Sequence, residues 1–171
     1  MGARALVALA RADGDYELYH AQRGASQSRF RAVLDGGDLR SVLAESTRVF
    51  AAGSAGDVLA VLDPREYEVL YVRDGEVTAY LVCWLGIETT TGSSDPAVRS
   101  LAADAAALVP VADPAVAAGL RRFLRDSKAV PGEAVDAGLL SLPVAVRYLG
   151  SWLARHPDVP RETLWLPPGA W

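Results

Sequence analysis

The sequence predicts an α+β fold: an antiparallel sheet of about four strands from two β-hairpins, packed against helices drawn mainly from the C-terminal half. Three observations predict it. Two β-rich runs flank Asp74-Gly75 inside DPREYEVLYVRDGEVTAYLVCWLG, residues 63–86, a strong local signal for a tight hairpin. Asp13-Gly14 separates a similar pair of runs near the start. Asp-Pro steps at Asp95-Pro96 and Asp113-Pro114 then open helical patterns, Asp as N-cap and Pro at the first helical position. Strands come first and helices last, which argues for an antiparallel sheet rather than alternating βαβ units.

The first hairpin spans residues 3–22. A two-residue loop at Asp13-Gly14 would pair Leu9 with Leu18 and Val7 with His20. Ala5 to Ala10 is apolar at every position, so this strand is expected to be covered on both faces. Residues 24–46 switch to turn and short-helix character. Ser28 is a candidate cap for a helix carrying Phe30, Val33 and Leu34. Asp35-Gly36-Gly37-Asp38 breaks that helix, and Asp38 can cap the next turn. Arg48-Val49-Phe50 suits an edge strand or an extended linker. Gly53-Ser54-Ala55-Gly56 is a turn before a short helix over 57–62, stopped by Asp63-Pro64.

In the second hairpin, a two-residue loop at Asp74-Gly75 would pair Val69 with Tyr80 and Tyr67 with Val82. Leu70, Val72, Ala79, Leu81 and Cys83 would then form a core face. Tyr67, Tyr71, Tyr80 and Trp84 would share the opposite, partly wet face. Val98, Leu101, Ala105 and Leu108 fall at helical spacing, with Pro110 ending that helix. Val116, Leu120, Phe123 and Leu124 form the stripe of the next. Pro131 and Pro143 bracket a short helix around 135–140. A last helix carries Val146, Leu149, Trp152 and Leu153, and stops before His156-Pro157.

The 171 residues suit one domain, 1–171: a sheet-rich half (1–87), a helical half (95–156) and an extended Pro/Trp tail (157–171). No apolar run approaches about 18 residues, so no membrane span is expected. The opening MGARALVALA is read as a strand rather than a secretion signal. A single cysteine, Cys83, cannot form an intrachain disulfide and fits a reducing, cytoplasmic setting. Lysine and arginine total 17, yet Lys128 is the one lysine. With abundant Ala, Val, Gly and Asp, this suggests a GC-rich genome and would suit a salt-loving host. A net charge of −4 and a pI near 5.2 argue against a general nucleic-acid binder.

The opening MGARALVALARADGDYELYHAQRGA and the block YEVLYVRDGEVTAYLVCWLGI together resemble a family of small uncharacterised proteins from halophilic archaea. The resemblance covers roughly the first half and rests on hairpin and core residues. YHAQRG departs from the more aromatic segment of that pattern. The resemblance implies no activity and transfers no catalytic residue.

Candidate chemistry is sparse. His20 and Arg23, with Tyr19, lie at the end of the second strand and could form an anion or small-molecule site; the plain alternative is a half-buried histidine and a solvated arginine. Cys83, mid-strand on the core face, reads as an inert small hydrophobe. His20 and His156 lie far apart outside any spaced motif, so no metal site is expected, and Asp13 and Asp15 are turn chemistry. Gly53-Ser54-Ala55-Gly56 lacks the Lys-Ser/Thr of a P-loop. Gly2 offers no side-chain nucleophile of the N-terminal amidase kind. Arg121, Arg122, Arg125 and Lys128 make a basic helix face, solvated by default and otherwise suited to nucleic acid. Trp165 and Trp171 flank a Pro-Pro-Gly segment that would clamp onto the Tyr67, Tyr71, Tyr80, Trp84 face or dock on a partner chain. The expected function is therefore a non-enzymatic binding or assembly module, without cofactor, acting through a sheet face or the tail on a second copy or another protein. The contrary reading is a small enzyme or sensor at His20 and Arg23.

Overall fold

A computed structural model describes residues 3–88 and 104–166, with the backbone alone described for 50–52. It holds one seven-stranded mixed sheet in the order β3-β2-β1-β4-β5-β6-β7. The strands are β1 (Ala5–Ala10), β2 (Tyr16–Ala21), β3 (Ser46–Ala52), β4 (Val69–Asp74), β5 (Glu76–Trp84), β6 (Ala106–Val111) and β7 (Leu164–Leu166). The helices are α1 (Gln27–Gly36), α2 (Arg40–Leu43), α3 (Ala55–Val61), α4 (Pro114–Ser127), α5 (Ala129–Asp136) and α6 (Leu142–Ala154).

This corrects the four-stranded antiparallel sheet expected from the sequence. The class remains α+β, but β1 pairs with β4 in parallel, Ala5 opposite Val69 and Val7 opposite Tyr71. The physical reason lies in how the two hairpins join. The chain leaves β2, adds β3 at the outer edge, and returns through α3, which places the first strand of each hairpin side by side. Such a return needs a crossover rather than a tight turn. Ala5, Leu6, Val7 and Ala8 are all fully buried, as suits a central strand covered on both faces.

Both hairpin registers differ by one residue from the two-residue-loop expectation. In the first, Leu6 faces His20 and Ala8 faces Leu18. The Gly14 N–H donates to the Arg11 carbonyl and the Arg11 N–H to the Asp15 carbonyl, with Gly14 at φ 87°. This is a three-residue loop, a turn closed by a left-handed glycine. In the second, Asp74 faces Glu76 across Gly75, and Tyr71 faces Ala79. A one-residue slip exchanges the partners on each face.

The chain divides into two compact units. Unit 1 holds residues 1–82 and 110–114; unit 2 holds 83–109 and 115–171. In unit 1, α1 ends where Gly37, left-handed, donates its N–H to the Val33 carbonyl at 2.7 Å. Ser54, not Asp57, caps α3: the Asp57 N–H donates to the Ser54 hydroxyl, and the Ser54 N–H returns a bond to the Asp57 carboxylate. Those donors hold the Asp57 carboxyl below its usual range.

In unit 2, the segment expected to end a helix at Pro110 is instead strand β6. Ala105 to Val109 are all fully buried. A short apolar run buried on every side has no readable period, so its spacing mimics a helix. The earlier part of that expected helix, from Asp95 to Leu101, lies outside the described residues. Pro131 falls inside the first turn of α5, where a missing N–H is tolerated. Residues 164–166 of the tail form β7 against β6, Trp165 opposite Ala107.

Candidate functional site

His20 sits on β2 in unit 1. Its Nδ1 lies 3.2 Å from the Tyr67 hydroxyl and its Nε2 lies 3.0 Å from Gln22 Oε1. One neutral tautomer serves both, with Nε2–H donating to Gln22 and Nδ1 accepting from the Tyr67 O–H. The Tyr67 ring meets the imidazole edge-on at 5.6 Å. Burial, then the Glu66 carboxylate, raises the Tyr67 pKa, so the phenol keeps its proton and is no nucleophile. Arg4 lies beside this pair, bonded to Glu66 at 3.2 Å. Arg23 is exposed. Tyr19, adjacent to His20 on the strand, projects to the other face opposite Val7, and its hydroxyl donates to Glu17 at 3.0 Å. That bond, then burial, raises its pKa. The structure thus joins His20 to Tyr67, which the sequence reading did not, and separates it from Tyr19.

The expected aromatic face is divided. Tyr71 is fully buried and donates its hydroxyl to the Gly24 carbonyl at 2.9 Å. Tyr67 is 8% exposed. Tyr80 lies on the opposite face from Tyr71, paired with Leu70. Trp165 is half-buried in β7, and Trp171 lies outside the described residues.

Cys83, on β5, is fully buried. Burial pushes its thiol up to about 12, against the lowering influence of Arg121 and Lys128. A thiol so placed is inert. We expect thiol reagents at pH 8 to leave Cys83 unmodified in the folded chain and to label it only as the chain unfolds; rapid stoichiometric labelling of native protein, followed by absorbance, would contradict this.

Unit 2 also carries two features that the sequence reading missed. Lys128 connects α4 to α5, and its ammonium stands over the Trp84 ring, 4.1 Å from the centroid. Desolvation lowers its pKa to about 8, opposed by Glu88 and Cys83. Of the basic helix face, Arg122 and Arg125 are exposed whereas Arg121 and Lys128 are partly buried.

The second feature is an aromatic row. On α6, Val146, Leu149 and Leu153 are buried, but Val144, Tyr148 and Trp152 are 41–43% exposed. Trp152 therefore leaves the core stripe where its spacing had placed it. The Tyr148 and Trp152 rings lie 4.8 Å apart, and Phe123 of α4 continues the row, 6.4 Å from Trp152 and 4.7 Å from His156. Spacing of four residues (144, 148, 152) could have flagged it as a second apolar stripe.

Among the described residues, no three His, Cys, Asp or Glu side chains cluster as metal ligands. No helix among them is long and apolar enough to cross a membrane. No curated protein and no solved structure matches the chain. Residues 31–165 match the model of a family of unknown function, DUF6735, and the chain belongs to that family.

Proposed function

We propose that the protein is a binding or assembly module, not an enzyme, and that it self-associates through the α4–α6 aromatic row. The observation that carries this reading is the contiguous exposure of Tyr148 and Trp152 beside Phe123. Exposed aromatic rows of this kind suit interfaces, where Tyr and Trp contribute large contact area. An apolar row along one helix is also self-complementary across a two-fold axis, so a second copy needs no separately matched surface. The scatter of reactive groups supports a non-catalytic role: His20 is engaged by Tyr67 and Gln22, and Cys83 is buried.

Light scattering on a sizing column tests this. At low and at high salt the chain is expected to run at twice its 18.1 kDa mass, because apolar contacts survive screening. Tyr148→Ser with Trp152→Ser should return a monomer with unchanged circular dichroism. A wild-type monomer at both salt concentrations removes the proposal.

A second reading, a small-molecule or anion sensor at His20, is favoured by the His20–Tyr67 contact beside Arg4. Retention of an anion by wild type and not by His20→Ala would select it. The composition supports a cytoplasmic protein from a halophilic archaeon, and the family membership fits that reading without specifying it.

A further inference from the structure

Lys128 is the one lysine in a chain whose other basic residues are almost all arginine. It is also the one amine side chain, since a guanidinium does not lose its proton in a protein. Its place is unusual for a lysine. It follows the last residue of α4 and precedes the first of α5, and its carbonyl accepts the Gly132 N–H at 3.0 Å. The backbone is thereby fixed in a helical turn. The side chain is partly buried and crosses to Trp84, where Nζ lies 4.1 Å from the ring centroid. Cys83, Glu88 and Arg121 are the other ionisable groups around this cluster. Glu88 favours the ammonium, and the Trp84 face does the same by about 0.5–2 kcal/mol. Neither outweighs the loss of water, which holds the amine at about 8.

We propose that Lys128 is a covalent acceptor for small planar aldehydes, with the Trp84 indole as the surface against which the bound carbonyl compound lies. An amine reacts through its uncharged form. An unperturbed lysine at pH 7 is uncharged to less than about one part in a thousand. An amine with a pKa near 8 is uncharged to about a tenth, so the nucleophile is present at neutral pH. The Nζ lone pair attacks the carbonyl carbon, forming the C–N bond and breaking the C=O π bond to give a carbinolamine. The two hydrogens of the neutral amine then depart with the carbonyl oxygen as water, leaving the imine. No oxidant or reductant takes part. Trp84 presents an apolar plane on which a conjugated aldehyde can stack.

The test uses the intact chain at pH 7.5 with salicylaldehyde as probe, followed by cyanoborohydride to trap the imine, intact mass and peptide mapping. Lys128 is expected to carry the adduct at least about tenfold faster than Nα-acetyl-lysine under the same conditions. The α-amino terminus supplies the internal control. Trp84→Leu should slow trapping of salicylaldehyde severalfold while leaving that of formaldehyde nearly unchanged. Reaction of Lys128 no faster than Nα-acetyl-lysine, or only after addition of guanidinium, would overturn the proposal. So would equal salicylaldehyde rates in wild type and Trp84→Leu of unchanged fold.

Discussion

Replacing Tyr71 with alanine is expected to lower stability by about 3–5 kcal/mol, the range for deleting a buried aromatic side chain. Tyr71 is fully buried on β4, between Val7 of β1 and Ala79 of β5, with Phe30 of α1 at 6.5 Å. Its loss opens a cavity where the parallel pair and the second hairpin meet. Tyr71→Phe isolates the hydroxyl, whose hydrogen bond to the Gly24 carbonyl spans 2.9 Å; about 1–3 kcal/mol should go with it. The carbonyl is there because Gly24 packs where no side chain fits. A Cβ at Gly24 would stand 2.7 Å from the Ala5 Cβ and 2.8 Å from the Ala21 Cβ. Neither methyl can swing aside, since each is fixed to a buried strand. Gly24→Ala should therefore cost about 1–3 kcal/mol or more, and combined with Tyr71→Phe the effects should not add. Urea denaturation of the single and double variants measures all of this. A Tyr71→Ala midpoint equal to wild type would mean that this side chain is not in the core.

Lys128→Met should make the protein more stable at pH 7, by about 1–2 kcal/mol. Folding lowers the Lys128 pKa to about 8 from its ordinary value near 10.5. Between those values the unfolded chain holds more protons than the folded one, so this group makes stability rise with pH. Below pH 8 the ammonium is charged in both states and the cost of its desolvation is fully present. Above about 10.5 it is neutral in both and the cost has gone. The shift corresponds to roughly 3 kcal/mol at most. The lost attraction to the Trp84 ring removes about 0.5–2 kcal/mol of the gain. Methionine keeps the apolar stem and fills much of the same space. The gain should shrink from pH 7 to pH 10, measured by thermal or urea unfolding. A constant difference between wild type and variant across that range would show that the amine is solvated.

Different parts of the fold were legible to different degrees. Turn chemistry placed both hairpins, since an Asp-Gly step offers a left-handed position at low cost. It did not distinguish loops that differ by one residue, so His20 was set opposite Val7 when it faces Leu6. The candidate site suffered from the same slip. Tyr71 and Tyr80 were assigned one face, and the true register places them on two. The His20–Tyr67 contact joins positions 47 residues apart, and nothing local announces it. Likewise Trp84 and Lys128 meet through the packing of separate elements.

The sequence by itself determined the α+β class, the two hairpins, the helices opened by Asp113-Pro114 and Pro143, and the burial of Cys83. Each depends on contacts within a few residues or on a plain apolar pattern. Only the tertiary structure decided that β1 runs parallel to β4, that Ala106–Val111 is a strand, and which side chains share a face. Strand order and register are set by long-range hydrogen bonds and burial. A fully apolar segment is equally content against any covered surface, so its own residues do not choose among them.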